Sequence, residues 1–182
     1  MKYDLEDGWR KTGLGMAGLL WLSSFAVLAE DNVQFRGALV AEPCVIAPGE
    51  ENLQLDFGTV IDKYLYLNQR THGQPFEIHL MACDVSLAKT LTITFSGNEN
   101  LQLPGLLALD ATSQASGIAI GMETPEGKPL PLNLAGQKSL LAAGSNRIAF
   151  KAFVQGEPDA IAKETIKQGP FSTVATFRLE YE

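Results

Sequence analysis

The chain has 182 residues, a formal net charge of −7 and a hydrophobic share of 46%. That length carries one domain with a full apolar core but not a second of equal size. An acidic chain without a basic cluster repels phosphate backbones, which argues against nucleic acid as a partner. Gly13 to Leu28 reads GLGMAGLLWLSSFAVL, a stretch without a charge that follows Arg10 and Lys11. It is shorter than the roughly 20 apolar residues a membrane-spanning helix needs, and it ends in Val27-Leu28-Ala29, with small side chains at the positions a signal peptidase inspects. Residues 1–29 are therefore expected to be a secretory signal peptide cleaved after Ala29.

From Glu30 onward the pattern predicts strands. Val33, Phe35 and Leu39 alternate around Gly37; Leu53, Leu55 and Phe57 alternate up to Gly58. Phe76, Ile78 and Leu80 alternate before Cys83, and Leu91, Ile93 and Phe95 before Ser96-Gly97. Ile118 and Ile120 lie between Gly117 and Gly121; Ile148, Phe150 and Phe153 lie in RIAFKAFV. In the last run, FSTVATFRLEYE, one face carries Val174, Thr176, Arg178 and Glu180. The other carries Phe171, Thr173, Ala175, Phe177, Leu179 and Tyr181. Such alternation, rich in β-branched and aromatic residues, marks half-buried strands. Turn sequences such as Pro48-Gly49, Pro104-Gly105 and Gly144-Ser145-Asn146 separate them. Helical periodicity is weak, and Asp159 to Lys167 reads as a surface loop. The sum is an all-β, immunoglobulin-like sandwich.

The only cysteines are Cys44 and Cys83. In an exported chain two cysteines pair, and neither close spacing nor neighbouring histidines suggest a metal or catalytic thiol site. The two histidines, His72 and His79, sit on separate elements without metal-ligand spacing; His79 shares the polar face of its strand with Glu77 and Met81. There is no nucleophile elbow, phosphate loop or dinucleotide fingerprint, and the carboxylates are spread over loops and polar faces. The expectation is no catalytic residue, no metal, no cofactor and no small-molecule substrate.

VQFRGALVAEPC, Val33 to Cys44, and GPFSTVATFRLEYE at the other end resemble the subunits of chaperone–usher fimbriae. The first is an alternating strand with one glycine and a following cysteine; the second is a terminal strand with a penultimate tyrosine, Tyr181. The resemblance is strongest to minor and adaptor subunits of P-pilus type, through FRG, the nearby Pro-Cys and the GPF before the last strand. It implies a pilin fold: an incomplete sandwich lacking its final strand, completed by a donor strand from a neighbouring subunit or a chaperone. Residues 30–40 would be the N-terminal donor extension and 41–182 the pilin domain. Val33, Phe35 and Leu39 would enter the neighbour's groove, with Gly37 where that groove is shallow. Thr173, Ala175, Phe177, Leu179 and Tyr181 would line this chain's own acceptor groove and contact the chaperone.

The partners implied are other pilus subunits, a periplasmic chaperone and an outer-membrane usher, with export through the periplasm to the cell-surface fimbrium. Only Glu30 to Asn32 would precede Val33, a short extension that favours a minor or adaptor role. A terminating base subunit is the alternative within that class. An autonomous secreted immunoglobulin-like binding module, with VQFRGALV paired in its own sheet, is the alternative outside it.

Overall fold

The computed structural model describes residues 36–182, so Val33, Phe35 and the expected signal peptide lie outside the described residues. The chain divides into two units between Ala38 and Leu39, and the second, Leu39–Glu182, carries the fold. In chain order it contains β1 (Val45–Ile46), α1 (Asp62–Asn68), β2 (Gln74–Cys83), β3 (Thr90–Ser96) and β4 (Ile118–Glu123). Then follow β5 (Ala135–Leu140), β6 (Gly144–Gly156), α2 (Pro158–Ala162) and β7 (Thr176–Tyr181). One antiparallel sheet has the order β1-β2-β6-β4 and the other β5-β3-β7.

The two sheets enclose a single core, as alternation demands. Ile78 and Leu80 of β2, Leu91, Ile93 and Phe95 of β3, Ile118 and Ile120 of β4, and Phe150 and Val154 of β6 all join it. Each such side chain contributes about 1.5–3 kcal/mol by leaving water. Phe76, Phe95 and Phe150 meet at its centre with ring centroids 5.1–6.1 Å apart. Phe95 stands nearly perpendicular to Phe150, the edge-to-face arrangement that the ring quadrupole favours. A bulge between Leu80 and Cys83, with Ala82 at φ 52°, turns Cys83 inward beside Leu80. Cys44 and Cys83 are bonded to each other.

Phe153 departs from the core pattern. In β6 the core face carries Phe150, Ala152 and Val154, so Phe153 points outward, yet it is buried. Its ring lies over Gly121, where a Cβ would stand 2.2 Å from the ring edge, and the Arg70 guanidinium sits 3.7 Å from its centroid. Gly121 is thus required by a close approach.

The structure departs from the sequence pattern in five places. Leu53 to Phe57 is not a strand, because among the described residues no partner strand lies alongside it. The C-terminal ladder begins only at Thr176, leaving Phe171 to Ala175 outside it. Asp62–Asn68 is a helix whose buried residue is Leu65, and β5 is a polar edge strand without alternation. Finally, Pro158–Ala162 forms a short helix within the region read as a loop.

Candidate functional site

The sandwich is open along one side. β7 pairs with β3 over Leu91↔Tyr181 to Ser96↔Thr176 and forms the edge of its sheet. Beside it lies an apolar cleft with a cavity of about 170 Å³. Its floor is core: Phe76, Phe95, Leu107, Ile120, Met122 and Ala152. One wall is Leu53, Leu55 and Phe57; the other is Thr173, Ala175 and Phe177. A cavity of that order holds a benzene-sized group, so its deepest part fits one aromatic or branched side chain.

Both walls alternate as strands do, but neither has a ladder on the cleft side. Leu55 and Phe57 are half-buried with Asp56 exposed between them. From Phe171 to Tyr181 every second residue is half-buried and every other one exposed. Among the described residues, no backbone hydrogen bond joins Leu53 to Val60 to another strand. That wall is held by the Gln74 Nε2–H donating to Asp56 O at 2.7 Å. The opposite wall is tied away from the cleft: Asp110 N–H donates to Ser172 O at 2.8 Å, and the Thr173 hydroxyl to Ala108 O at 2.7 Å. Two strand-like segments with no ladder between them, flanking an apolar cleft floored by core side chains, are what a strand from outside would satisfy. Phe57 and Phe171 meet from the two walls, with centroids 6.2 Å apart.

Of the acceptor residues expected from sequence, Thr173, Ala175 and Phe177 line the cleft. Leu179 and Tyr181 continue the same face and pack against the core outside the cleft. Burial, then the Glu42 carboxylate, pushes the Tyr181 phenol pKa up. Of the donor residues, Gly37 and Leu39 are exposed, Leu39 completely.

Sequence reasoning missed the Leu53–Phe57 wall as part of the site. The signal was there: an alternating run with no complementary run to pair with. It also missed a polar cluster on β2. His79 Nδ1 lies 2.6 Å from Glu50 Oε1, and its Nε2 lies 3.0 Å from Glu77 Oε2. Hydrogen bonds that the His79 ring donates to Glu50 and then to Glu77 raise the His79 pKa, and the same contact with His79 lowers that of Glu50. His72 accepts or donates one bond, to the Tyr64 hydroxyl at 3.0 Å. Among the described residues, no three His, Cys, Asp or Glu are grouped to hold a metal ion.

The family model for "Fimbrial protein" matches residues 33–182. Fimbria A protein of Serratia marcescens is 32% identical over 91% of this chain and 92% of its own length. The fimbrial adapter PapK of Escherichia coli is 30% identical over 88% and 92%. Among solved structures, the P pilus rod subunit PapA shares the fold, with a TM-score of 0.67 at 23% identity over 78% of this chain and 100% of PapA. An incomplete immunoglobulin-like sandwich with this span of sequence similarity makes the chain a member of the fimbrial protein family.

Proposed function

We propose that this fimbrial subunit is assembled by strand addition: a periplasmic chaperone, then the extension of a neighbouring subunit, fills the cleft between Leu53–Phe57 and Thr173–Phe177. The observation that carries the reading is the apolar cleft between two strand-like walls that have no ladder with each other. A lone subunit exposes apolar side chains and unpaired N–H and C=O groups, and is expected to aggregate. An incoming strand supplies both halves of what is missing: backbone bonds for affinity and alternating side chains for register. On this reading Val33, Phe35 and Leu39 are what the subunit donates, behind a signal peptide removed after Ala29. The protein carries no reaction, and its outer-membrane usher and fibre neighbours are its partners.

The test is expression of the full chain with and without a cognate periplasmic chaperone. Soluble disulfide-bonded protein is expected only with the chaperone, or when residues 31–40 are fused after Glu182 to supply a strand. A stable cooperative monomer obtained alone overturns the reading. Within the fibre, a minor or adaptor position is supported by the short extension and by the similarity to the PapK adapter. Immunogold label confined to one end of the fibre is expected; continuous label along the rod refutes that position.

A further inference from the structure

We propose that Glu50 and His79 are positioning residues for the cleft: their contact fixes the start of the Leu53–Phe57 wall and so sets where an incoming strand can pair. The proposal rests on the strand-addition reading above.

The local backbone shows why. β1 pairs with β2 through Val45↔Met81 and Ile46↔Leu80. At the next step the Ala47 N–H still donates to His79 O at 2.9 Å. The reverse bond is absent, because Ala47 O accepts from the Glu50 N–H instead, at 3.0 Å. The His79 N–H so abandoned is taken by Glu50 Oε2 at 3.0 Å. The carboxylate thus continues the ladder where the strand has left it, and Leu53 follows three residues later. Beyond it, the next tether of the wall to the sandwich is the side-chain bond from Gln74 to Asp56 O. Leu55 and Phe57 pack against the core, but among the described residues the hydrogen bonds that tie the wall to the sandwich are this carboxylate clamp and that single amide.

The clamp depends on the charge of the imidazole. Both ring nitrogens of His79 face carboxylate oxygens, Glu50 on one side and Glu77 on the other. A neutral imidazole has one N–H and serves one carboxylate; the imidazolium serves both. The charged groups facing the ring are Glu50 from the turn after β1, Glu77 on β2, and Arg147 opposite it on β6, whose Nε lies 3.3 Å from Glu77 Oε2. β1, Val45–Ile46, contributes no charged group. The two carboxylates outweigh Arg147, in keeping with the raised pKa of His79. Loss of the proton leaves Glu77 to Arg147 and weakens the hold on Glu50.

The test is amide hydrogen exchange, read by mass spectrometry, on the full chain co-purified with its chaperone. Protection is compared at about pH 5.5 and about pH 8.5, on either side of the histidine range, after correction for intrinsic rates. Peptides covering residues 51–60 are expected to lose protection about threefold at the higher pH, as befits a part-exposed pair, while residues 171–175 stay constant. His79→Gln should show the lower protection at both pH values. His79→Lys, cationic throughout, should hold the higher level at both, which a purely packing role for the ring would not produce. Equal protection of residues 51–60 in the wild type at both pH values overturns the proposal, as does a His79→Lys variant that titrates like the wild type. A chain that never co-purifies with a chaperone overturns the strand-addition reading itself.

Discussion

Replacing Cys44 and Cys83 together by alanine tests how the sandwich is held where its sequence begins. The bond spans 39 residues, and closing a loop of that size removes about 4 kcal/mol of chain entropy from the unfolded state. Little else is available to compensate, since β1 offers two residues of ladder. Alanine is preferable to serine because both sulfurs are buried, and each buried hydroxyl without a partner would add about 1–3 kcal/mol of its own. A domain of this size is stable by about 5–15 kcal/mol, so the loss is a large share of the total. The assay is urea unfolding of the full chain complemented by residues 31–40 fused after Glu182. With a slope of about 2 kcal/mol per molar urea, the midpoint should fall by about 2 M, and reduced wild type should match the variant. A fall of less than about 0.5 M, on the same slope, would refute the reasoning. It would mean that β1 and the Glu50 clamp secure this end without the covalent bond.

Four further outcomes are expected from the same complemented chain. Thr94 has a buried hydroxyl without a partner among the described residues, so Thr94→Val should raise stability by about 1 kcal/mol, read as a higher urea midpoint. Arg70→Ala leaves the buried Glu123 carboxylate without its 2.8 Å partner and uncovers Phe153; a loss of about 2 kcal/mol is expected, discounted because Arg70 is itself part-exposed. Ala175→Phe overfills the cleft that the fused strand occupies and should cost about 1–3 kcal/mol, read as a lower urea midpoint. For pH, His79 has a raised folded pKa, so its contribution is complete below 6.5 and is lost as pH rises through that folded value. Glu50 has a lowered one, so its contribution is complete above 4.5 and is lost as pH falls through it. The pair therefore stabilises most between 4.5 and 6.5, and His79→Gln should abolish its part of the alkaline decline in urea midpoints.

What was legible in the sequence is what two-residue periodicity encodes. The faces of Phe171 to Glu182 alternate in burial as read, and Ile78, Leu80, Leu91, Ile93 and Phe95 are core. Periodicity misled where hydrogen-bond partners are missing: Leu53 to Phe57 has the pattern of a strand and no neighbour, which is the physical content of the cleft. It was silent where tertiary contacts hold a segment that local pattern does not. α1 buries Leu65 alone and is tied by the Tyr66 hydroxyl accepting from Ile166 N–H and by Gln168 bonding Asp62. β5 is exposed on both faces and owes its strand to β3. The ladder substitution by Glu50 joins residues 29 apart and depends on where the chain leaves β1, which no local pattern reveals.

The disulfide also has a mechanical side. On the strand-addition reading proposed above, tension in the fibre would reach each subunit through its extension and pass into the fold at Cys44. Were the pull carried by β1, it would fall on two residue pairs with β2. The bond instead hands it to Cys83, at the end of a strand whose ladder with β6 runs from Gln74 to Cys83. On that reading, force would bypass the two-residue β1 and spread over the β2–β6 ladder while the bond is oxidised.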